Sequence, residues 1–212
     1  MSKELQLADT YTLPGHPRDA IHTWEENGDR LIAIGHYTSP YFTLIRWDGT
    51  SLSEAATYTF PGYVDSIHTW PDNGDRLIAV GHWGDPYFAL LRWDGTSLSE
   101  ADTYTLPGNP YAVHTWEENG DRLIAVGHNN APYFTLIRWD GTSLSEEATY
   151  TFTGRVFAIH TWPDSGDRLI AVGHIDEPYF TLLSWGVPVD IPILSVAQEN
   201  GNIRVSWVYP EE

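Results

Sequence analysis

The chain reads as all-β, a propeller built from four blades of 46 residues, and three features of the sequence agree on this. Trp24, Trp70, Trp116 and Trp162, each preceded by His-Thr, stand 46 residues apart. Within every period the β-branched and aromatic residues fall in short runs divided by tight-turn residues, and nothing repeats with helical spacing. A fourth-strand stretch also occurs once ahead of the first complete period, while the last period stops after three strands.

The first period sets the pattern. Ala20–Trp24 is a strand, and Glu25-Glu26-Asn27-Gly28-Asp29 carries hairpin chemistry. The second strand, Arg30–His36, contains the unbroken apolar run Leu31-Ile32-Ala33-Ile34, as expected of a strand covered on both faces. Tyr37-Thr38-Ser39-Pro40 leads into a third strand, Tyr41–Trp47, and Asp48-Gly49-Thr50 into a fourth, Leu52–Thr59. A four-stranded meander buried on both faces is a propeller blade, because blades stack face to face around an axis. Leu7–Gly15 matches the fourth-strand stretch Glu100–Gly108, so it is expected to fill the vacancy in the last blade, closing the ring and hiding both edges. The same strand serves equally to complete a second copy, giving a ring of eight blades from two chains by strand exchange. Sequence leaves both readings open. The propeller is expected over 5–185. The remainder, 186–212, reads as a linker, Gly186–Pro192, followed by a hairpin or domain stub around Glu199-Asn200-Gly201-Asn202.

Charge narrows the partners. Lys and Arg number 11 against 29 Asp and Glu, a net charge of −18, which argues against nucleic acid and anionic membrane surfaces. The absence of cysteine removes thiol catalysis, iron–sulfur clusters and Cys-ligated zinc. No apolar run is long enough to cross a membrane as a helix, and Met1-Ser2-Lys3-Glu4 offers no apolar signal core; localisation stays open.

Trp47-Asp48, Trp93-Asp94 and Trp139-Asp140, with Gly35-His36 and its copies at 81, 127 and 173, resemble WD40-type blades across residues 5 to 185. Here the Gly-His pair ends the second strand rather than preceding the first, and Trp185-Gly186 replaces the last Trp-Asp. The near-identity of the copies is similar to the highly repetitive propellers of bacteria and their viruses. That resemblance implies a scaffold for binding. The Val205–Pro210 run resembles a strand of a fibronectin type III domain.

Differences among the copies concentrate in two links that an antiparallel meander places on one side. The link from fourth to first strand carries Arg18 and Asp19, Tyr63 and Asp65, Tyr111, then Arg155 and Phe157. The link from second to third strand carries Tyr37, then Trp83 and Asp85, Asn129 and Asn130, and Asp176 and Glu177. The opposite side repeats Asn-Gly-Asp-Arg and Asp-Gly-Thr-Ser almost unchanged. A face varied loop by loop on a rigid frame is expected to be a recognition surface for a protein or glycan, with these residues as ligand contacts. Rival readings are an assembly protein whose blades only build oligomers, and a multivalent lectin.

His22, His68, His114 and His160 are expected as hydrogen-bonded histidines of the strand nearest the axis rather than metal ligands. His36, His82, His128 and His174 are expected to end their strands with structural hydrogen bonds. Asp72-Asn73-Gly74-Asp75 is first a turn, not a calcium loop. No nucleophile elbow, phosphate loop or His-Glu-x-x-His run occurs, so neither a cofactor nor enzymatic activity is expected.

Overall fold

Each period folds into one antiparallel meander. The computed structural model describes residues 4–186, 193–199 and 202–208, with backbone alone for the last two segments and for Asp19. Blade 1 comprises β1 (Pro17–Glu26), β2 (Asp29–His36), β3 (Tyr41–Trp47) and β4 (Leu52–Thr59), hydrogen-bonded in that order. Blade 2 repeats it as β5 (Val64–Asp72), β6 (Asp75–His82), β7 (Tyr87–Trp93) and β8 (Leu98–Thr105). Blade 3 is β9 (Pro110–Glu118), β10 (Asp121–His128), β11 (Tyr133–Trp139) and β12 (Leu144–Thr151). Blade 4 has three strands, β13 (Val156–Asp164), β14 (Asp167–His174) and β15 (Phe180–Trp185). A hairpin follows, β16 (Ile193–Glu199) with β17 (Asn202–Val208). The linker expected at Gly186–Pro192 lies outside the described residues from 187 onward. Among the described residues no helix is long and apolar enough to cross a membrane.

Side chains alternate across each sheet, so every blade has two apolar faces and each needs a neighbour. The leading face of blade 1, Trp24, Leu31, Ala33, Phe42 and Leu44, packs on the trailing face of blade 2, Ile67, Ile78, Val80, Leu91 and Trp93. The same residues meet again between blades 2 and 3 and between blades 3 and 4. Polar clasps seal the junctions. Glu26 accepts the indole N–H of its own Trp24 at 3.0 Å and of Trp93 in the next blade at 3.1 Å. Glu118 does the same for Trp116 at 2.9 Å and Trp185 at 3.0 Å. Blade 2 carries the shorter Asp72 instead, and the buried Trp139 indole N–H finds no partner.

The turns of the conserved side explain their constancy. Asn27 and Gly28 both take positive φ, 53° and 91°, as a tight primed hairpin turn demands. Asp48 Oδ1 accepts the backbone N–H groups of Thr50 and Ser51 at 2.8 Å, and these bonds with the Thr50 hydroxyl hold its carboxyl well below the usual carboxylate range.

The inner strands β1, β5, β9 and β13 touch in succession. His22, His68, His114 and His160 form a row of tilted and edge-on rings along them, with ring centroids 4.8, 4.8 and 4.9 Å apart. Each of the first three rings bonds a threonine of the next blade: His22 to Thr69 at 3.0 Å, His68 to Thr115 at 2.9 Å and His114 to Thr161 at 3.2 Å. Burial pushes His68 down to about 3 and His114 down to about 4. Among the described residues no His, Asp and Glu side chains group as a metal would need.

Closure by the N-terminal strand, expected from the sequence, is not in place within the single chain. β13 makes no comparable contact with β1, and residues 4–16 pair with no strand. Instead Asp9 accepts the N–H of Leu52 at 2.7 Å and Tyr11 donates to Glu54 at 2.8 Å. Asp102 and Tyr104 of β8 make the same two bonds to Leu144 and Glu146 of blade 3. The segment therefore lies where the fourth strand of a blade preceding blade 1 belongs. These side-chain bonds hold the segment against blade 1, whereas pairing with β15 would have to span the open end of the arc.

Candidate ligand-binding face

The two variable links of each blade meet on one side, as the meander requires. The first residue after β2, β6, β10 and β14 donates its N–H to the other link: Tyr37 to His16 at 3.1 Å, Trp83 to Tyr63 at 2.9 Å, Asn129 to Asn109 at 3.1 Å and Ile175 to Arg155 at 3.0 Å. The link into β3 and its copies ends identically each time. Tyr41, Tyr87, Tyr133 and Tyr179 take positive φ of 66–74° and donate backwards to Thr38, Gly84, Asn130 and Asp176. Variable side chains thus ride on a link that ends in the same turn in every blade.

The start of every inner strand carries a β-bulge. Val64 pairs with His82 and Ser66 with Gly81, leaving Asp65 between them without a partner, and Tyr111 and Phe157 occupy the same bulged position. In blade 1 the irregularity spans more residues, between Pro17 and Ile21, and contains Arg18 and Asp19. A bulge re-aims one side chain without disturbing the ladder beyond it. The result is a cavity of about 290 Å³ lined by Arg18, Asp65, Tyr111 and Phe157, one residue from each blade.

Seven of the residues expected from the sequence are brought together here. The Arg18 guanidinium clasps buried Asp65 through both oxygens, with Nη2 to Oδ2 at 2.8 Å, and also donates to the Tyr37 hydroxyl. Trp83 Nε1 donates to Asp65 Oδ2 at 2.6 Å. Asp65 accordingly neutralises Arg18 and anchors Trp83. Around this pair an aromatic row runs from Tyr37 to Tyr63 at 4.7 Å, Tyr63 to Trp83 at 4.4 Å, Trp83 to Tyr111 at 6.4 Å and Tyr111 to Phe157 at 5.0 Å between ring centroids. Arg18 lies over Tyr37 at 4.7 Å, and burial pushes the Tyr63 phenol up from its ordinary value.

The other expected residues lie apart from this row. Asn129, Arg155 and Asp176 line a second depression of about 380 Å³. Asn130 is occupied in bonding the Pro107 carbonyl at 2.8 Å, which gives it a structural task. Asp85 and Glu177 are exposed ahead of their prolines and join neither group. The Asp19 side chain lies outside the described part. His36, His128 and His174 each bond a threonine of the following strand at 3.0 Å, Thr43, Thr135 and Thr181, as strand-ending residues. Ala89 stands in blade 2 where the other blades have this threonine, and His82 stacks on Phe60 at 4.6 Å. Sequence reading missed two clefts of about 530 and 310 Å³ on the constant side, which open between blades beside Glu118 and Asp72. The alternation of Trp-Glu-Glu with Trp-Pro-Asp from blade to blade is the signal that marks them.

No family model matches this sequence, and no curated protein matches it. Solved structures do. A chain of the mitotic checkpoint complex aligns with a TM-score of 0.57 at 13% identity, over 79% of this chain and 50% of that one. BBS1N, solved in complex with ARL6DN, gives 0.57 at 11% identity over 93% and 55%. The Bacteroides ovatus xyloglucan protein GH43B gives 0.54 at 10% identity over 92% and 42%. The fold is that of a β-propeller. The chain spans about half the length of these three matches. One expectation is corrected by them. The lack of a catalytic motif leads the sequence reading to expect no enzymatic activity, yet a glycoside hydrolase of family 43 shares this fold, so that expectation does not stand.

Proposed function

We propose that the variable-loop side is a recognition surface and that its ligand is a protein seated over the axial cavity. The observation that carries this reading is the continuous aromatic row Tyr37–Tyr63–Trp83–Tyr111–Phe157, assembled from four blades and pinned by the Arg18–Asp65 pair. Aromatic residues and arginine held rigid before binding are the residue types that dominate interface energetics, because little side-chain entropy remains to be lost. The blades contribute different residues at equivalent positions, which suits one asymmetric partner better than repeated identical ligands. BBS1N, a solved neighbour, is itself described in a complex with another protein.

A glycan is the second reading. The axial cavity of about 290 Å³ combines the aromatic walls Tyr111 and Phe157 with the polar Arg18–Asp65 pair, a lining that suits a sugar ring. A glycan array and an affinity capture, each run with the full chain and with Trp83→Ala and Phe157→Ala, separate the two. Loss of binding by about tenfold to a hundredfold in both variants, with Thr96→Ala on the constant side unaffected, supports the surface. Binding that survives both loop-side substitutions overturns it.

A further inference from the structure

We infer that two copies of this chain close head to tail into one ring of eight blades, the segment 8–15 of each copy completing blade 4 of the other. The inference stands on the two ends of the arc and does not depend on what the loops bind.

Blade 4 presents a leading face with nothing on it. Phe180 is 57%, Leu182 48% and Trp162 37% exposed, where their equivalents in blade 2, Phe88, Leu90 and Trp70, are 0%, 0% and 4% exposed. The leading faces of blades 2 and 4 are identical: Trp70, Leu77, Ala79, Phe88 and Leu90 against Trp162, Leu169, Ala171, Phe180 and Leu182. Blade 2 shows what such a face accepts, the trailing face of blade 3 with Val113, Ile124, Val126, Ile137 and Trp139. Blade 1 offers the same set in Ile21, Ile32, Ile34, Ile45 and Trp47. Part of it is uncovered, with Ile21 54% exposed where Val113 is 8%, and Trp47 less buried than Trp139. The junction between blades 2 and 3 is therefore a template for one between blade 4 and blade 1 of a second copy.

The open edge of β15 fits the same partner. Residues Ala8–Gly15 are identical to Ala101–Gly108, which supplies the fourth strand of blade 2. There Phe88 pairs with Tyr104, Ala89 with Thr103 and Leu90 with Asp102, and Leu106 enters the core at 2% exposure with its N–H on the Pro86 carbonyl. Carried to the last blade, this register pairs Phe180 with Tyr11, Thr181 with Thr10 and Leu182 with Asp9 of the second copy. Leu13 then fills the place of Leu106. Asp9 and Tyr11 already hold the segment beside β4, in the position of a preceding blade's outer strand. A head-to-tail contact that repeats after one step closes as a two-fold ring, covers both end faces of the arc and pairs the open edge of β15. It also brings Arg18 and Tyr37 of the second copy beside Phe157, so the loop-side rim becomes continuous.

Two measurements on the full chain decide this. Light scattering on the eluted protein is expected to give twice the chain mass of 23.9 kDa. A monomer at all concentrations, or an open series of higher multiples, overturns the ring. The chain has no cysteine, so the double variant Thr10→Cys/Thr181→Cys reports directly on strand exchange. Oxidation is expected to yield a covalent two-chain species on a non-reducing denaturing gel. A disulfide within one chain, or none, overturns the exchange. Phe180→Asp is expected to raise the dimer dissociation constant at least about tenfold while keeping the β-sheet circular-dichroism signal, and an unchanged dimer argues against the assigned face.

Discussion

Asp65 shows how one carboxylate organises a surface. It is buried among its own blade's strands, and it satisfies both the Arg18 guanidinium and the Trp83 indole. Asp65→Ala leaves the Trp83 indole without an acceptor and Arg18 with only the Tyr37 hydroxyl, and is expected to lower unfolding stability by about 1–3 kcal/mol, read by chemical denaturation, while loosening the aromatic row. Conservative Asp65→Asn keeps the shape, yet loses the charge opposite Arg18, so it is expected to fall between the variant and the parent. The histidines make a second prediction. Burial holds His68 near 3 and His82, His114 and His128 near 4, against an ordinary value of 6.5. The unfolded chain therefore takes up protons first as pH falls, and stability present above about pH 6.5 declines down to about pH 4. The thermal midpoint measured across that window is expected to drop before the carboxylates of Asp48 and Asp94 begin to titrate; a flat profile between pH 7 and 4.5 would contradict it. That these histidines recur at fixed places in every blade was readable from the sequence. That those of the inner strands line up in a row, with each Thr on the neighbouring blade, was not, because it depends on the spacing between blades.

At the scale of the element, the strand and turn chemistry of every blade was legible because short-range rules govern it: period-two alternation, Asn-Gly turns, Asp-Gly-Thr-Ser loops. The bulges were less so. Comparison of copies marked Asp65, Tyr111 and Phe157 as variable, but only the register shows that each is the unpaired residue at the mouth of its inner strand. The blade junctions carry a test of their own. Glu26 and Glu118 each clasp two indoles, whereas Asp72 is too short and leaves buried Trp139 Nε1 without an acceptor. Asp72→Glu is expected to supply that acceptor and stabilise the protein by about 1 kcal/mol, seen as an upward shift of a few degrees in the melting midpoint. No gain would mean that water already serves the indole.

For the whole molecule, the outstanding quantity is what covers the ends of the arc. If a second copy does, folding and association are linked, and the melting midpoint is expected to rise with protein concentration; independence over a hundredfold range would separate the two processes. The propeller fold itself is shared at 13% identity and below with proteins as different as BBS1N and a glycoside hydrolase, so the frame does not select a function. On the proposed reading, selection lies in the loops. Their placement on a common side followed from the meander, since alternate connections of an antiparallel sheet emerge at opposite ends.

Sequence alone determined the number of blades, their strands and turns, and the side on which variation collects, because these depend on contacts a few residues apart or on exact repetition. Tertiary structure decided which variable residues share a site. Asn130 and Asp85 read as well as Tyr111 in the chain, yet only the curvature of the stack brings four bulged residues together around one cavity. It also decided that the arc stays open within a single chain, since closure is set by the angle between blades, a sum over many interface contacts that no local run of residues encodes.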